Sequence, residues 1–310
     1  MLLGALAQSV PDIDFVAYFW LDKTENLLAH RGITHSIIFA IFATIILAFA
    51  SKNFFHKNLL SWTRWFLLFG VNLFTHIFID TFNAYGTGLF EPFRDDRISF
   101  HVLFVADPFF SVWPFFAFVF LIIYNVNHKK RKIAWITGIG LSTIYLLYAI
   151  FNKMSVDSDV RSNLKDQHIS AENYFTTPTP LNSWLWFVVA KDNNGYYVGY
   201  RSVFDSKEKL DFRFFPQNDS LLRQSVNKDE VNDLIHFSED FYTVEKWNDT
   251  LVFNVLRFGQ VVGWYDPAEK FAFHYLLDSP DANHLLVQRG RFEGWNRRTF
   301  ISFIRRIKGN

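Results

Sequence analysis

His76 and Asp80 stand one helical turn apart in the apolar stretch Asn72 to Gly86, NLFTHIFIDTFNAYG, with Asn83 almost a turn further on. On a helix the three share a face. An ionisable pair in a segment greasy enough to enter a bilayer is costly there unless it meets its own partner, an ion or a water-filled cavity. Two other sets of residues have suitable types. Asp12 and Asp14, in Pro11-Asp12-Ile13-Asp14, point the same way if that segment is extended; the plainer alternative is a helix-stopping turn with solvated aspartates. In His30-Arg31-Gly32-Ile33-Thr34-His35-Ser36 two histidines flank a glycine. Gly32 predicts His30 in a loop and His35 in the first turn of the next helix, from which both reach one point.

Three imidazoles and several carboxylates form a nitrogen and oxygen donor set suited to a divalent metal, with zinc first and manganese or iron as alternatives. His76, Asp80, His30 and His35 are the leading ligands. The candidates outnumber the three or four ligands of one catalytic zinc, so either two ions bind or some aspartates orient ligands and accept protons. Such a metal activates water toward an ester or a phosphoester. Asp14 and Asp80 are then candidate catalytic carboxylates, and the Arg31 guanidinium suits an anionic substrate group, with Arg94 and Arg97 as weaker candidates.

The elements that must position these groups are apolar runs. Ile37 to Ala50 (with Thr34 to Ser36), Trp62 to Ile79, Pro108 to Asn125 and Ile133 to Phe151 each approach the length that spans a bilayer, and Trp62, Trp65, Trp113 and Trp135 flank them. The expected architecture is four transmembrane helices. Lys52, Lys57 and Arg64 in one connection and Lys129, Lys130, Arg131 and Lys132 in another put those loops on the cytoplasmic side. The N-terminal segment, the loop Thr81 to Ala106 and everything after Phe151 then face the extracytoplasmic side, together with the candidate ligands. That loop reads as a lid or a site lining, with Glu91, Asp95 and Asp96 as solvated charges. The opening residues read as the end of a helix stopped by Pro11, from which we expect a preceding segment.

After Phe151 the chain turns polar, and residues 152–177 read as a linker into a second domain, 178–310, of α+β class. Asn193-Asn194-Gly195 between Trp184 to Ala190 and Tyr196 to Phe204 is a hairpin signal. Leu210 to Phe215, Phe241 to Trp247, Leu251 to Phe258 and Phe271 to Leu277 read as strands, and Ser220 to Val226 and Glu230 to Phe237 as helices. Trp295 to Lys308 reads as a terminal helix with one apolar face, either lying on anionic lipid or docked on its own domain. The formal net charge of +1 gives no electrostatic case for nucleic acid, and the lack of cysteine excludes disulfides and thiolate metal sites.

PDID at Pro11 to Asp14, HRGITHS at His30 to Ser36, THIFIDTFNAYGTGLFEPF at Thr75 to Phe93 and VADP at Val105 to Pro108 together resemble the YdjM-like, LexA-regulated family of inner-membrane metal-dependent hydrolases. The resemblance covers about residues 1–150, and PTPLNSWLWFVVA with VGYRSVFD and VLRFG is similar to the extra C-terminal domain of a longer branch. It implies that Asp12, Asp14, His30, His35, His76 and Asp80 bind metal, with Asp107 as an additional member, at a bacterial inner membrane. The expected substrate is a membrane lipid or a lipid-linked phosphoester. The opposing readings are a non-enzymatic membrane protein with a structural metal and a partner-binding or stress-sensing outer domain, and a transporter whose ion path His76 and Asp80 line.

Overall fold

A computed structural model describes residues 2–55, 60–206, 209–225, 227–277, 283 and 292–309. Lys57 and Val226, used above, lie outside the described residues. The chain divides into two compact units, Met1–Phe100 with Asn232–Phe237, and His101–Val231 with Ser238–Asn310.

In the first unit α1 (Leu2–Gln8) ends short of Pro11, and Pro11 starts a 3-10 helix, Pro11–Phe19. After α2 (Lys23–Ala29) a short 3-10 turn, Ile33–His35, leads into α3 (Ile37–Phe54). Ser36 caps α3 by accepting from Phe39 N at 3.1 Å. α4 (Trp62–Asp80) packs on it, with Ala40 of α3 buried against Leu73 and Ile77. From α7 (Lys228–Ser238), Asp233 accepts a hydrogen bond from Thr24 Oγ1 at 2.9 Å, within this unit.

The second unit opens with α5 (Pro108–Ile123) and α6 (Lys130–Asp166). α6 runs 37 residues, about 55 Å at 1.5 Å per residue. Residues 152–177, expected as a linker, are instead the second half of this helix followed by strand β1 (Asn173–Pro178). The reason is periodicity beneath the polar composition: Val156, Val160 and Leu164 recur every four residues and bury against Trp186, Val188 and Ala190.

β1 to β4 form one antiparallel sheet in chain order, with β2 (Leu185–Asp192), β3 (Gly195–Ser202) and β4 (Phe212–Pro216). Asp192 pairs with Gly195 across the expected two-residue turn. The other antiparallel sheet holds β5 (Tyr242–Trp247), β6 (Thr250–Gln260) and β7 (Phe271–Leu276). Phe187, Val189 and Val198 of the first sheet share a core with Leu256 and Phe271 of the other. The segment expected as a helix from Ser220 is a 3-10 turn, Asp219–Gln224. α8 (Arg297–Ile307) docks on its own unit, burying Phe303 beside Leu185, Val261 and Trp264 while Arg306 pairs with Asp205 at 2.6 Å.

Among the described residues, two helices are long and apolar enough to cross a membrane, α3 and α6. α4 has the length, but Arg64, Asn72, His76 and Asp80 lower its apolarity, and the 16 residues of α5 fall short.

Candidate metal centre

Pro11 fixes the first turn of its 3-10 helix, and this changes what the paired aspartates do. At three residues per turn, positions two apart face different ways. Asp14 is accordingly buried, whereas the Asp12 side chain is 54 % exposed, in place of the parallel arrangement expected of an extended segment. His35 comes to the same place from the turn before α3 and is fully buried. His76 and Asp80 come from the last turns of α4.

Two imidazoles face the same two carboxylates. His35 Nε2 lies 3.6 Å from Asp12 Oδ1 and 3.5 Å from Asp80 Oδ2, and His76 Nε2 lies 3.5 Å from each of the same two oxygens. The imidazole centroids are 5.3 Å apart. His35 Nε2, His76 Nε2 and Asp80 Oδ2 are buried and make no hydrogen bond among the described residues, and leaving three such atoms unsatisfied costs on the order of 1–3 kcal/mol each. A common centre resolves this. Tetrahedral ligands about 2.0–2.1 Å from a zinc ion stand roughly 3.4 Å apart, close to each of the four imidazole–carboxylate spacings. Asp12, His35 and His76 form a group that could hold a metal ion, and Asp80 adjoins both of its imidazoles. Nitrogen and carboxylate donors without sulfur fit a hard-to-borderline divalent ion.

His30 and Asp14 form a second layer rather than part of this convergence. His30 Nδ1 is 3.1 Å from Asp14 Oδ2, and the same oxygen accepts the Arg31 backbone N–H at 2.7 Å. Asp14 also stands 3.8 Å from His35 Nδ1, behind the ring, where Thr34 Oγ1 is 3.2 Å away. Burial opposes ionisation of Asp14, but His30 and the Arg31 N–H outweigh it and hold its carboxyl below the ordinary carboxylate value. His35 and His76 lower that of Asp12.

Arg31, expected to hold a substrate anion, is turned inward. Its Nε is 3.4 Å from Asp80 Oδ2, its Nη1 donates to Asn83 Oδ1 at 2.8 Å, and its guanidinium lies 5.2 Å from the centroid of the Tyr85 ring. Asn83 is therefore a site residue, positioned just past the end of α4 and also accepting from Tyr85 N at 3.0 Å. Its spacing from Asp80 was the available signal. The left-handed backbone of this turn falls on Arg31, whose φ is +58°. Gly32 serves a close approach instead: a Cβ there would lie 3.0 Å from Glu91 Oε2, and one on Gly88 would overlap Glu91 Oε1. Glu91 is thus packed between two glycines and not a solvated charge, and burial pushes its carboxyl up. Gly88 N donates to Arg31 O at 2.9 Å, so the first part of the 81–106 loop lines the site. Arg94 pairs with the exposed Asp96 and Arg97 donates to Leu28 O, and neither contact involves a candidate ligand.

Asp107 is employed differently from the expectation. It caps α5, accepting from Phe109 N at 2.9 Å and Phe110 N at 3.3 Å, and its other oxygen accepts from Tyr145 OH at 2.9 Å.

The family described as YdjM inner membrane protein matches residues 1–156. An uncharacterised protein of Bacillus subtilis strain 168, YfhP, is 25 % identical over 208 residues, which are 64 % of this chain and 58 % of that protein. The inner membrane protein YbcI of Escherichia coli K12 is 28 % identical over 99 residues, 31 % of this chain and 56 % of that one. The chain thus spans under two thirds of the length of either relative. No solved structure matches it.

Proposed function

The chain belongs to the YdjM inner membrane protein family, and from that premise we propose that it is a membrane-bound, metal-dependent hydrolase acting on an ester or phosphoester, in first place that of a lipid. The observation that carries this reading is the convergence of His35 Nε2 and His76 Nε2, both buried without hydrogen bonds among the described residues, on the exposed carboxylate of Asp12, with Asp80 Oδ2 3.5 Å from each imidazole. Asp12, His35, His76 and Asp80 would hold a divalent ion, zinc in first place, which supplies a Lewis acid and water of lowered pKa when bound.

The chain's own groups do the rest. Thr34 Oγ1 is within hydrogen-bond reach of the ring of His35 from behind, and the Asp14 carboxylate adds its charge on that side from 3.8 Å. Arg31 offsets the charge of Asp80 and keeps it in place. His30, partly exposed and 3.1 Å from Asp14, is the group placed to take a proton at its solvent side, with Asp14 steadying the imidazolium. Asp12 stands where the cluster opens to solvent, so a substrate approaches past it.

A second reading has an observation of its own. Four protein ligands complete a four-coordinate ion, the closed shell typical of a structural site. One experiment separates the two: elemental analysis of the detergent-purified protein beside His35→Ala, followed by release of phosphate or fatty acid from membrane lipid extracts. Metal-dependent release that His35→Ala abolishes is expected. Near-stoichiometric metal with no release from any lipid class would favour the structural ion, and no metal in folded wild type would sink both.

The four-span arrangement, with site and C-terminal unit on the extracytoplasmic side, is part of the proposal and rests on the basic connections at Lys52 and Arg64 and at Lys129 to Lys132. Because the chain has no cysteine, single cysteines at Asn127 and Asn194 test it directly. They should label from opposite sides of sealed membranes; labelling from one side would overturn the arrangement.

A further inference from the structure

Between α5 and α6 runs an apolar groove of about 580 Å³, walled by Phe116, Phe120 and Tyr124 on one helix and Ile133, Thr137 and Leu141 on the other. Where Gly138 meets Ala117 it is closed by near contact of the helices, since a Cβ on Gly138 would stand 2.5 Å from the Ala117 Cβ and 3.0 Å from Trp113 O. From Lys130 to Leu141 the groove follows α6 for about 17 Å at 1.5 Å per residue. That is roughly half of a 30 Å hydrocarbon core, the depth of one leaflet.

The mouth of the groove is cationic. Lys130 Nζ lies 5.7 Å from the centroid of the Tyr124 ring at the groove's end, in the basic turn that also holds the exposed Lys129 and Lys132, the latter on the far side of α6 from the groove. Arg131 is occupied, donating to Tyr124 O at 2.7 Å and to Leu121 O, which ties the end of α5 to the turn. No acidic residue occurs from Asn125 to Lys132, and no ion pair among the described residues engages the three lysines.

We propose that this groove binds one acyl chain of an anionic phospholipid, with the phosphodiester of its headgroup at Lys130, in the basic turn Lys129 to Lys132. The occupant follows from the two ends together. A leaflet-deep apolar slot takes an alkyl chain, and Lys130 at its mouth, in a turn with no acidic residue, selects a headgroup of net negative charge, as basic pockets between transmembrane helices do. A zwitterionic lipid fills the slot but leaves Lys130 uncompensated. The site depends on α5 and α6 lying in the bilayer, and not on the metal centre.

The test is native mass spectrometry of the delipidated full chain in detergent, given equimolar dioleoyl-phosphatidylglycerol and dioleoyl-phosphatidylcholine. Phosphatidylglycerol should be retained at least about fivefold over phosphatidylcholine, the preference that one cation near an anionic headgroup supplies. Replacing Lys129, Lys130 and Lys132 together by Gln should bring the ratio close to one. Ala134→Phe, which fills the groove, should lower retention of both lipids while the melting temperature holds. Equal retention by wild type, or an undiminished preference in the triple variant, would overturn the site. So would a dimer that Ala134→Phe dissociates with lipid retention unchanged, because the groove would then be a protein interface. If Ala134→Phe does not fold, the triple variant, confined to an exposed turn, decides alone.

Discussion

Asp107 and Asp80 both stand beside helix ends, the first buried and the second largely so, and their surroundings are opposite. Asp107 uses its oxygens fully: two backbone N–H groups at the start of α5 and the hydroxyl of Tyr145, whose oxygen stands 3.1 Å from Ser183 Oγ and accepts from it. Asp80 faces His35 and His76 at 3.5 Å, too far for good hydrogen bonds, and one of its oxygens is left without any. Folding normally satisfies buried polar atoms. A cluster that leaves three of them unsatisfied around one point is therefore arranged for something other than the fold, whereas the cluster at Asp107 is explained by helix capping. Carboxylate type and sequence spacing alone do not separate these cases, since both residues fall near the ends of apolar runs.

The comparison breaks most readily at the histidines. His35→Ala or His76→Ala should drop metal content from near-stoichiometric to background in elemental analysis, with folding preserved by circular dichroism, because either change removes one of four donors. Bound metal that survived both substitutions would place the ion elsewhere. Lowering the pH should have a related effect on the wild type. The imidazoles must be neutral to bind, so protons compete with the ion and metal content should fall as the pH is lowered. Retention of metal that did not change between pH 8 and pH 5 would argue against histidine ligands.

Asp107→Ala should behave in the converse way. Metal content should be unchanged, while the loss of a cap together with a buried hydroxyl partner should cost on the order of 2–3 kcal/mol, read as a lower denaturation midpoint. Metal loss at unchanged stability would return Asp107 to the ligand set. Asp14→Asn should fall between the two. It keeps the shape but weakens the pairing with His30 and removes a charge 3.8 Å from His35 Nδ1, so affinity should drop about 10–100-fold, the usual effect of an outer carboxylate. Competition with a chelator of known affinity measures it.

How much of this was legible in the sequence follows a physical line. His76 and Asp80 were readable because helix periodicity is local and unambiguous, and the Asn193-Asn194 hairpin because its turn chemistry is local too. The roles of Asp12 and Asp14 were not, because they depend on whether Pro11 opens a strand or a 3-10 helix. Arg31 reads as an anion clamp when its neighbours in space are unknown; its partners Asp80 and Asn83 lie about fifty positions away. The extension of α6 was hidden by polar composition, since Val156, Val160 and Leu164 mark a helix face only when counted at period four.

The smallest expected effect sharpens the comparison furthest, because it acts inside the satisfied cluster without removing a carboxylate. Tyr145→Phe deletes only the hydroxyl between Asp107 and Ser183. The two N–H groups at the start of α5 still satisfy one oxygen of Asp107, so the change should cost about 1 kcal/mol, the net worth of an ordinary hydrogen bond. Metal content should not move. A loss well above 3 kcal/mol would mean that the Tyr145 hydroxyl tethers Asp107 and Ser183 as a unit whose parts fail together. A loss near zero would mean that water replaces the hydroxyl, and the difference between the two carboxylates would then rest on the α5 cap alone.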